Sequence, residues 1–287
     1  MLAVVSHDAG GAHLLSNYLA KTKQDAILVV QGPAEKVFSE TLGRASDAPD
    51  IEALSHPISR ILTGSSWKSN LEWRALRYAR SRSIFSSTFL DHWVNYRNRF
   101  TRNGMEILPN QIWVGDETAL QMATIEFPNT QVLHIANPYL MRAKSVRRRL
   151  LKGGLGQKKL KVLYACEPDE EGKGYSELEA LIFFLRNIEC LGAEKPSVTI
   201  RPHPLAPEQN YHDSLRQFSF VRFGGNLPLI DELKEHDVVA GRSTMALIVG
   251  AEMGLRAISA IPPGAGSFQL PGHQVEDFRA LILSAKG

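Results

Sequence analysis

Leu2-Ala3-Val4-Val5-Ser6-His7-Asp8-Ala9-Gly10-Gly11-Ala12 is a short apolar run that stops at a polar pair and a glycine turn. The run has strand length, and Leu14, Leu15, Tyr18 and Leu19 follow at the spacing of a helix face. A second buried run, Ala26-Ile27-Leu28-Val29-Val30, ends at Gly32-Pro33. Strand, helix and strand in that order form the unit of a parallel sheet. Ile112-Trp113-Val114-Gly115 and Gln131-Val132-Leu133-His134-Ile135 add two strands. The alternation restarts at Lys161-Val162-Leu163-Tyr164-Ala165-Cys166, then Ser197-Val198-Thr199-Ile200, Asp237-Val238-Val239-Ala240-Gly241 and Arg256 to Ile261. Helical patterns cover Tyr175 to Leu191, Leu229 to Glu235, a segment capped by Ser243 or Thr244 and stopped by Gly254, and Val275 to Ala285.

This pattern predicts an α/β protein of two Rossmann-like domains facing a central cleft. Gly153-Gly154-Leu155-Gly156 breaks the periodicity and marks the linker, with domains at 1–153 and 159–287. The stretch from Glu72 to Phe100 contains no Pro or Gly and reads as one or two long helices. Phe85, Phe89, Trp93, Tyr96 and Phe100 recur there every three to four residues, either as a core stripe or as an interfacial surface flanked by arginines.

Length and composition agree with two globular domains. The 287 residues are 44% hydrophobic and 22% charged, too apolar for disorder. Cys166 and Cys190 are too few for a disulfide framework or a zinc site. No apolar run approaches the roughly 20 residues that span a bilayer. The first residues are too short and lack the basic lead of a signal peptide, so a cytoplasmic, reduced protein is expected. The net charge of +3 hides an asymmetry. Residues 1–161 carry 22 Lys and Arg against 13 Asp and Glu, and residues 162–287 carry 11 against 17. The basic half is suited to an anionic partner, a glycan or lipid-linked acceptor, and to peripheral membrane contact.

The distinctive polar residues fall at strand ends, where open parallel sheets bind ligands. Arg201-Pro202-His203-Pro204 ends one strand, and its prolines stiffen the turn that carries the two basic side chains. Arginine presents a planar fork to a phosphate and histidine a donor that can be protonated. Arg242-Ser243-Thr244 opens a helix, whose free N–H groups attract anions, although Ser and Thr there also serve as ordinary caps. Gly10-Gly11 resembles a phosphate-binding turn without forming the full dinucleotide fingerprint. His7 and Asp8 precede it as acceptor-side groups or alternative bases. Asp116-Glu117 places carboxylates after another strand, where Asp116 can take a proton or simply cap a helix. There is no Asp-x-Asp pair and no histidine cluster with metal spacing, so neither a catalytic metal nor a cofactor is expected.

Together these residues resemble the GT-B glycosyltransferases. Arg201-Pro202-His203-Pro204, followed about forty residues later by Ser243-Thr244, looks like the His-Pro and Ser/Thr motifs of bacterial sialyltransferases, shared by polysialyltransferases and CDP-glycerol glycerophosphotransferases. Asp116-Glu117 lines up with their acidic motif, with Thr118 where that motif usually closes on Gly. The resemblance implies an inverting, metal-independent transfer of a sugar from a nucleotide-linked donor, CMP-linked in the nearest pattern, to a hydroxyl of a cell-envelope glycan or glycolipid. It implies Asp116 as general base, His203 on the departing phosphate, and Ser243 and Thr244 on the same phosphate. Where many such enzymes hold the ribose with Glu, this chain has Ile248, and the nearest acid is Glu252.

Two other classes use the same features differently. A sugar-nucleotide epimerase or hydrolase needs several acid/base groups around the sugar, which His7, Asp8, Asp116 and Glu117 could supply. A catalytically silent binder would rely on the basic half. Nucleic acid is not the expected partner, because the phosphate-suited residues lie in the acidic half.

Overall fold

The computed structural model describes the chain except residues 55, 67–68, 151–159, 170–173, 193–195, 204–205, 207, 269, 271–274 and 287, and except the side chains of 147–150 and 286. The expected linker and Pro204 lie outside the described residues. Backbone proximity divides the chain into two units, Met1–Arg142 and Ala143–Gly287.

The first unit is a six-stranded parallel sheet. Its elements are β1 (Leu2–Ser6), α1 (Ala9–Thr22), β2 (Ala26–Val30), α2 (Pro33–Leu42), β3 (Arg60–Thr63), α3 (Leu71–Ser81), β4 (Phe85–Leu90), α4 (Tyr96–Phe100), a small hairpin of β5 (Thr101–Arg102) and β6 (Met105–Glu106), β7 (Gln111–Val114), α5 (Glu117–Glu126), β8 (Gln131–His134) and α6 (Pro138–Leu150), whose last residues belong to the second unit. The strand order is β2-β1-β3-β4-β7-β8. Every residue of β1 is buried, as an apolar strand covered on both faces requires. Asn103-Gly104, with φ of +50° and +76°, makes the tight turn of the β5–β6 hairpin.

The second unit repeats the plan with β9 (Lys161–Ala165), α7 (Glu177–Arg186), β10 (Ser197–Arg201), α8 (His212–Leu215), β11 (Val221–Phe223), α9 (Leu229–Leu233), β12 (Val238–Gly241), α10 (Met245–Met253), β13 (Arg256–Ser259), β14 (Glu276–Asp277) and α11 (Phe278–Lys286). Its order is β11-β10-β9-β12-β13-β14, again all parallel. Tyr164, Leu181, Phe184, Val198, Ile200, Ile258 and Phe278 share one buried cluster. Ser176 and Glu179 form a reciprocal capping box at the start of α7. Gly254 adopts a left-handed φ of +87° and ends α10.

The stretch from Glu72 to Phe100 is not one long helix. Ser83, at φ +54°, breaks the chain after α3, and Ile84 N–H closes on the Ala79 carbonyl at 2.9 Å. Phe85–Leu90 then inserts into the middle of the sheet, between β3 and β7. Its hydroxyls bridge strands: Thr88 Oγ1 lies 2.7 Å from Thr63 Oγ1, a pairing that a helix would not offer. Phe89, Trp93, Tyr96 and Phe100 are buried as a core stripe should be, but Phe85 is half-exposed and the spacing spans a strand, a loop and a short helix. The arginines beside that stripe are mostly paired with acids: Arg74 with Asp50 at 2.7 Å, Arg97 with Glu106 at 2.8 Å, and Arg99 with Asp91 at 2.7 Å.

Candidate functional site

A doubly wound sheet forms a crevice at the carboxyl ends of its strands where the winding direction reverses. In the first unit that point lies between β1 and β3; in the second, between β9 and β12.

At the first switch point the end of β1 delivers His7 and Asp8. His7 Nδ1 lies 2.8 Å from Asp8 Oδ1, and both side chains are about a third exposed. The pairing leaves His7 Nε2 outside it. A Cβ on Gly32 would stand 2.7 Å from that nitrogen, so the ring's place depends on a residue without one. The His7 backbone N–H donates to Glu72 Oε1 at 2.7 Å. Burial pushes the Glu72 carboxyl up to about 7 against the lowering by that N–H. Next to the pair, Ser65 Oγ donates to Asp91 Oδ1 at 2.9 Å, and Arg99 Nη1 donates to the same oxygen at 2.7 Å and to the Ser65 carbonyl at 2.7 Å. Ser65, Glu72 and Asp91 were not singled out in the sequence, and Arg99 stood out only as one of the arginines flanking the aromatic stripe. Each sits beside ordinary helix or strand signals, and only the sheet order brings them together.

Gly10 and Gly11 lie in the first turn of α1, but the chain itself fills the room they leave. A Cβ on Gly10 would fall 1.9 Å from Asp91 Oδ2, and one on Gly11 would fall 3.0 Å from Gly64 Cα. Close packing of α1 against the ends of β3 and β4 is reason enough for both glycines. Asp116, at the end of β7, caps α5 by accepting from Ala119 N at 2.8 Å. It also accepts from Trp93 Nε1 at 2.9 Å on Oδ2. Burial, reinforced by the Asp116 charge, pushes the neighbouring Tyr96 phenol up to about 12. Glu117 follows as the first residue of α5.

In the second unit Arg201 and His203 end β10, while Arg242, Ser243 and Thr244 follow β12. Sequence order makes these look like adjacent strand ends; in the sheet β9 lies between them. Arg201 Nη1 donates to the Leu227 carbonyl at 2.8 Å and pairs with Glu232, whose other oxygen accepts from Gly225 N at 2.7 Å. His203 is partly exposed beyond β10, and its carbonyl accepts from Ala206 N at 2.8 Å. Arg242 differs most from its expected role. It points into the unit with 0% exposure, its Nε 2.5 Å from Glu177 Oε2 and its Nη2 donating to the Pro168 carbonyl at 2.7 Å. A guanidinium so enclosed is a strut between the loops after β9 and β12, not a phosphate hand. Ser243 N donates to Glu167 Oε1 at 2.6 Å, so one of the chain's own carboxylates occupies that amide. Thr244 is the cap, its Oγ1 accepting from Ala246 N at 3.2 Å. Ile248 is fully buried in α10, and Glu252 pairs with Lys144 at 3.1 Å. Among the described residues no cluster of His, Cys, Asp and Glu could hold a metal ion, and no helix is long and apolar enough to cross a membrane.

No family model matches the chain, and no curated protein matches it. Solved structures do. The UDP-GlcNAc 2-epimerase from Neisseria meningitidis bound to UDP-GlcNAc is 11% identical over 99% of this chain and 90% of its own, with a TM-score of 0.66. The UDP-GlcNAc 2-epimerase from Methanocaldococcus jannaschii is 12% identical over 99% and 91%, with a TM-score of 0.62. The E. coli ADP-heptose LPS heptosyltransferase II is 13% identical over the whole of both chains, with a TM-score of 0.51. At these identities the likeness is one of fold: two Rossmann-like α/β units of GT-B type.

Proposed function

We propose that this protein is a GT-B-type enzyme that acts on a nucleotide-activated sugar and transfers the sugar to a hydroxyl acceptor with inversion, without a metal. The observation that carries this reading is the His7–Asp8 pair at the switch point of the first unit, with Nδ1 held at 2.8 Å and Nε2 left outside the pair. In the tautomer where Nδ1–H donates to Asp8, Nε2 is a lone-pair acceptor for the proton of an incoming hydroxyl, and Asp8 stabilises the imidazolium that forms. Asp116, the base implied by the family resemblance, has less support, because its oxygens are engaged by a helix cap and an indole N–H. His203, with Arg201, Ser243 and Thr244, would meet the donor phosphate, where charge grows as the bond breaks. The similar solved proteins are named for UDP-GlcNAc and ADP-heptose; the motif pattern favours a CMP-linked donor. The acceptor we favour is an anionic glycan or lipid-linked sugar reached from the cytoplasm through the basic first half. The test is turnover: a panel of nucleotide sugars incubated with glycan acceptors should give a transfer product that is lost in His7→Asn.

A second reading, a sugar-nucleotide epimerase or hydrolase, draws on Glu72 as a buried second acid/base group beside the pair. Conversion of a nucleotide sugar in the absence of any acceptor would favour it.

A further inference from the structure

The parallel pairing of β1 with β3 ends at Val5 and Thr63, one residue short of Ser6. Beyond it the His7 N–H has no strand carbonyl to meet. Glu72, in the first turn of α3 and 65 residues away in sequence, reaches across and accepts that N–H at 2.7 Å. The carboxyl is 2% exposed, and its second oxygen, Oε2, has no hydrogen-bond partner among the described residues. A carboxylate so buried, with the backbone amides of His7 and of Glu72 itself as its donors and no cation in contact, lacks the partners that normally retain a charge indoors. The groups facing it are His7 and Asp8 from the β1–α1 turn and Arg102 from β5. Arg102 does not compensate it by contact. Its Nη2 donates to the Ser66 and Ser69 carbonyls, its Nη1 to the Asn98 and Thr101 carbonyls, and its Nε to Asn70 Oδ1.

We propose that Glu72 is a positioning residue of the switch-point site: it holds the backbone of His7 with its carboxyl group, and the gain or loss of that group's proton sets the charge beneath the His7–Asp8 pair. With the proton on, Oε1 still accepts the His7 N–H and the proton sits on Oε2, so Glu72 adds no negative charge beneath the pair. With the proton lost to solvent, a second negative charge lies under Asp8. Burial places this exchange near neutral pH, at about 7. An anionic substrate arriving at the pair would meet one negative charge more above pH 7 than below it; this last consequence rests on the function proposed above.

The experiment is an amide titration by NMR in a His7→Ala background, which keeps the residue-7 N–H on Glu72 and removes the imidazole. The residue-7 amide signal should shift with a step centred at about pH 7. In Glu72→Gln the side-chain oxygen still accepts the N–H but has no proton to lose, so this step should vanish. An identical step in Glu72→Gln overturns the inference. Asp8→Asn keeps Glu72 in place and covers the case in which the glutamine variant does not fold. Removing the Asp8 charge should move the step to lower pH, and an unmoved midpoint overturns the inference equally. In turnover assays kcat/KM should fall above pH 7 in the wild type and lose that limb in Glu72→Gln. A clean amide step with no turnover of any nucleotide sugar overturns the proposed function and leaves the role of Glu72 standing.

Discussion

Arg242 Nε and Glu177 Oε2 lie 2.5 Å apart, with side chains 0% and 3% exposed. Arg242 comes from the strand end where a phosphate-binding arginine was expected, and Glu177 is the first residue of α7. Burial pushes the Glu177 carboxyl up, and the guanidinium opposes it. Removing one partner leaves the other charge enclosed. Arg242→Ala should therefore cost about 3–5 kcal/mol of stability, readable in urea unfolding. Arg242→Met combined with Glu177→Leu should recover most of the loss, because two apolar side chains of similar volume leave no charge behind. A ligand-facing arginine would show the opposite pattern: little loss of stability and a large loss of nucleotide affinity.

Gly10→Ala tests whether that glycine serves packing. The new methyl would fall 1.9 Å from Asp91 Oδ2, so Asp91 must leave Ser65 and Arg99. We expect a loss of about 1–3 kcal/mol, the usual range for overpacking, seen as a lower Tm before any ligand is added. An unchanged Tm with weaker nucleotide binding would return Gly10 to the phosphate-binding role.

His7→Asn and Asp116→Asn separate the two candidate bases. Loss of a general base costs about 10²–10⁴-fold in rate, so His7→Asn should reduce kcat by that amount with nucleotide affinity unchanged. Asp116→Asn keeps an oxygen for the Ala119 N–H, and Asn caps helices as well as Asp does. It should fold normally and retain measurable turnover. If Asp116→Asn is dead and His7→Asn is active, the base assignment is reversed.

His203→Ala should lower kcat by about 10²–10³-fold, as loss of one transition-state donor does. The residue is partly exposed, so no apolar cavity forms and the urea midpoint should stay in place. Full activity with a verified donor would remove His203 from the phosphate.

Most of the scaffold was legible in local patterns. Runs such as Leu2–Ser6, Ala26–Val30 and Lys161–Ala165 are continuous and apolar because a parallel strand covered by helices meets no water on either face. Strand β4 escaped because Ser86, Ser87 and Thr88 carry no apolar signature, and the aromatics around them keep a helical spacing by coincidence. Its hydroxyls are satisfied by partners 24 and 25 residues away, which no local window contains.

The site divides along the same line. That His7, Asp8, Asp116, His203 and Thr244 stand at strand ends follows from the sequence, since a polar residue after a buried run must sit where the strand leaves the core. Which of them meet was decided by the order of strands. β3 lies beside β1 and puts Ser65 and α3 within reach of the first turn, so Glu72 takes the His7 amide. β9 lies between β10 and β12 and separates two motifs that follow one another in the chain. The physical reason is one of range. Hydrophobic periodicity acts over a few residues and fixes each element, whereas a buried charge such as Arg242 or Glu72 takes its role from whichever partner the tertiary fold brings within hydrogen-bond distance.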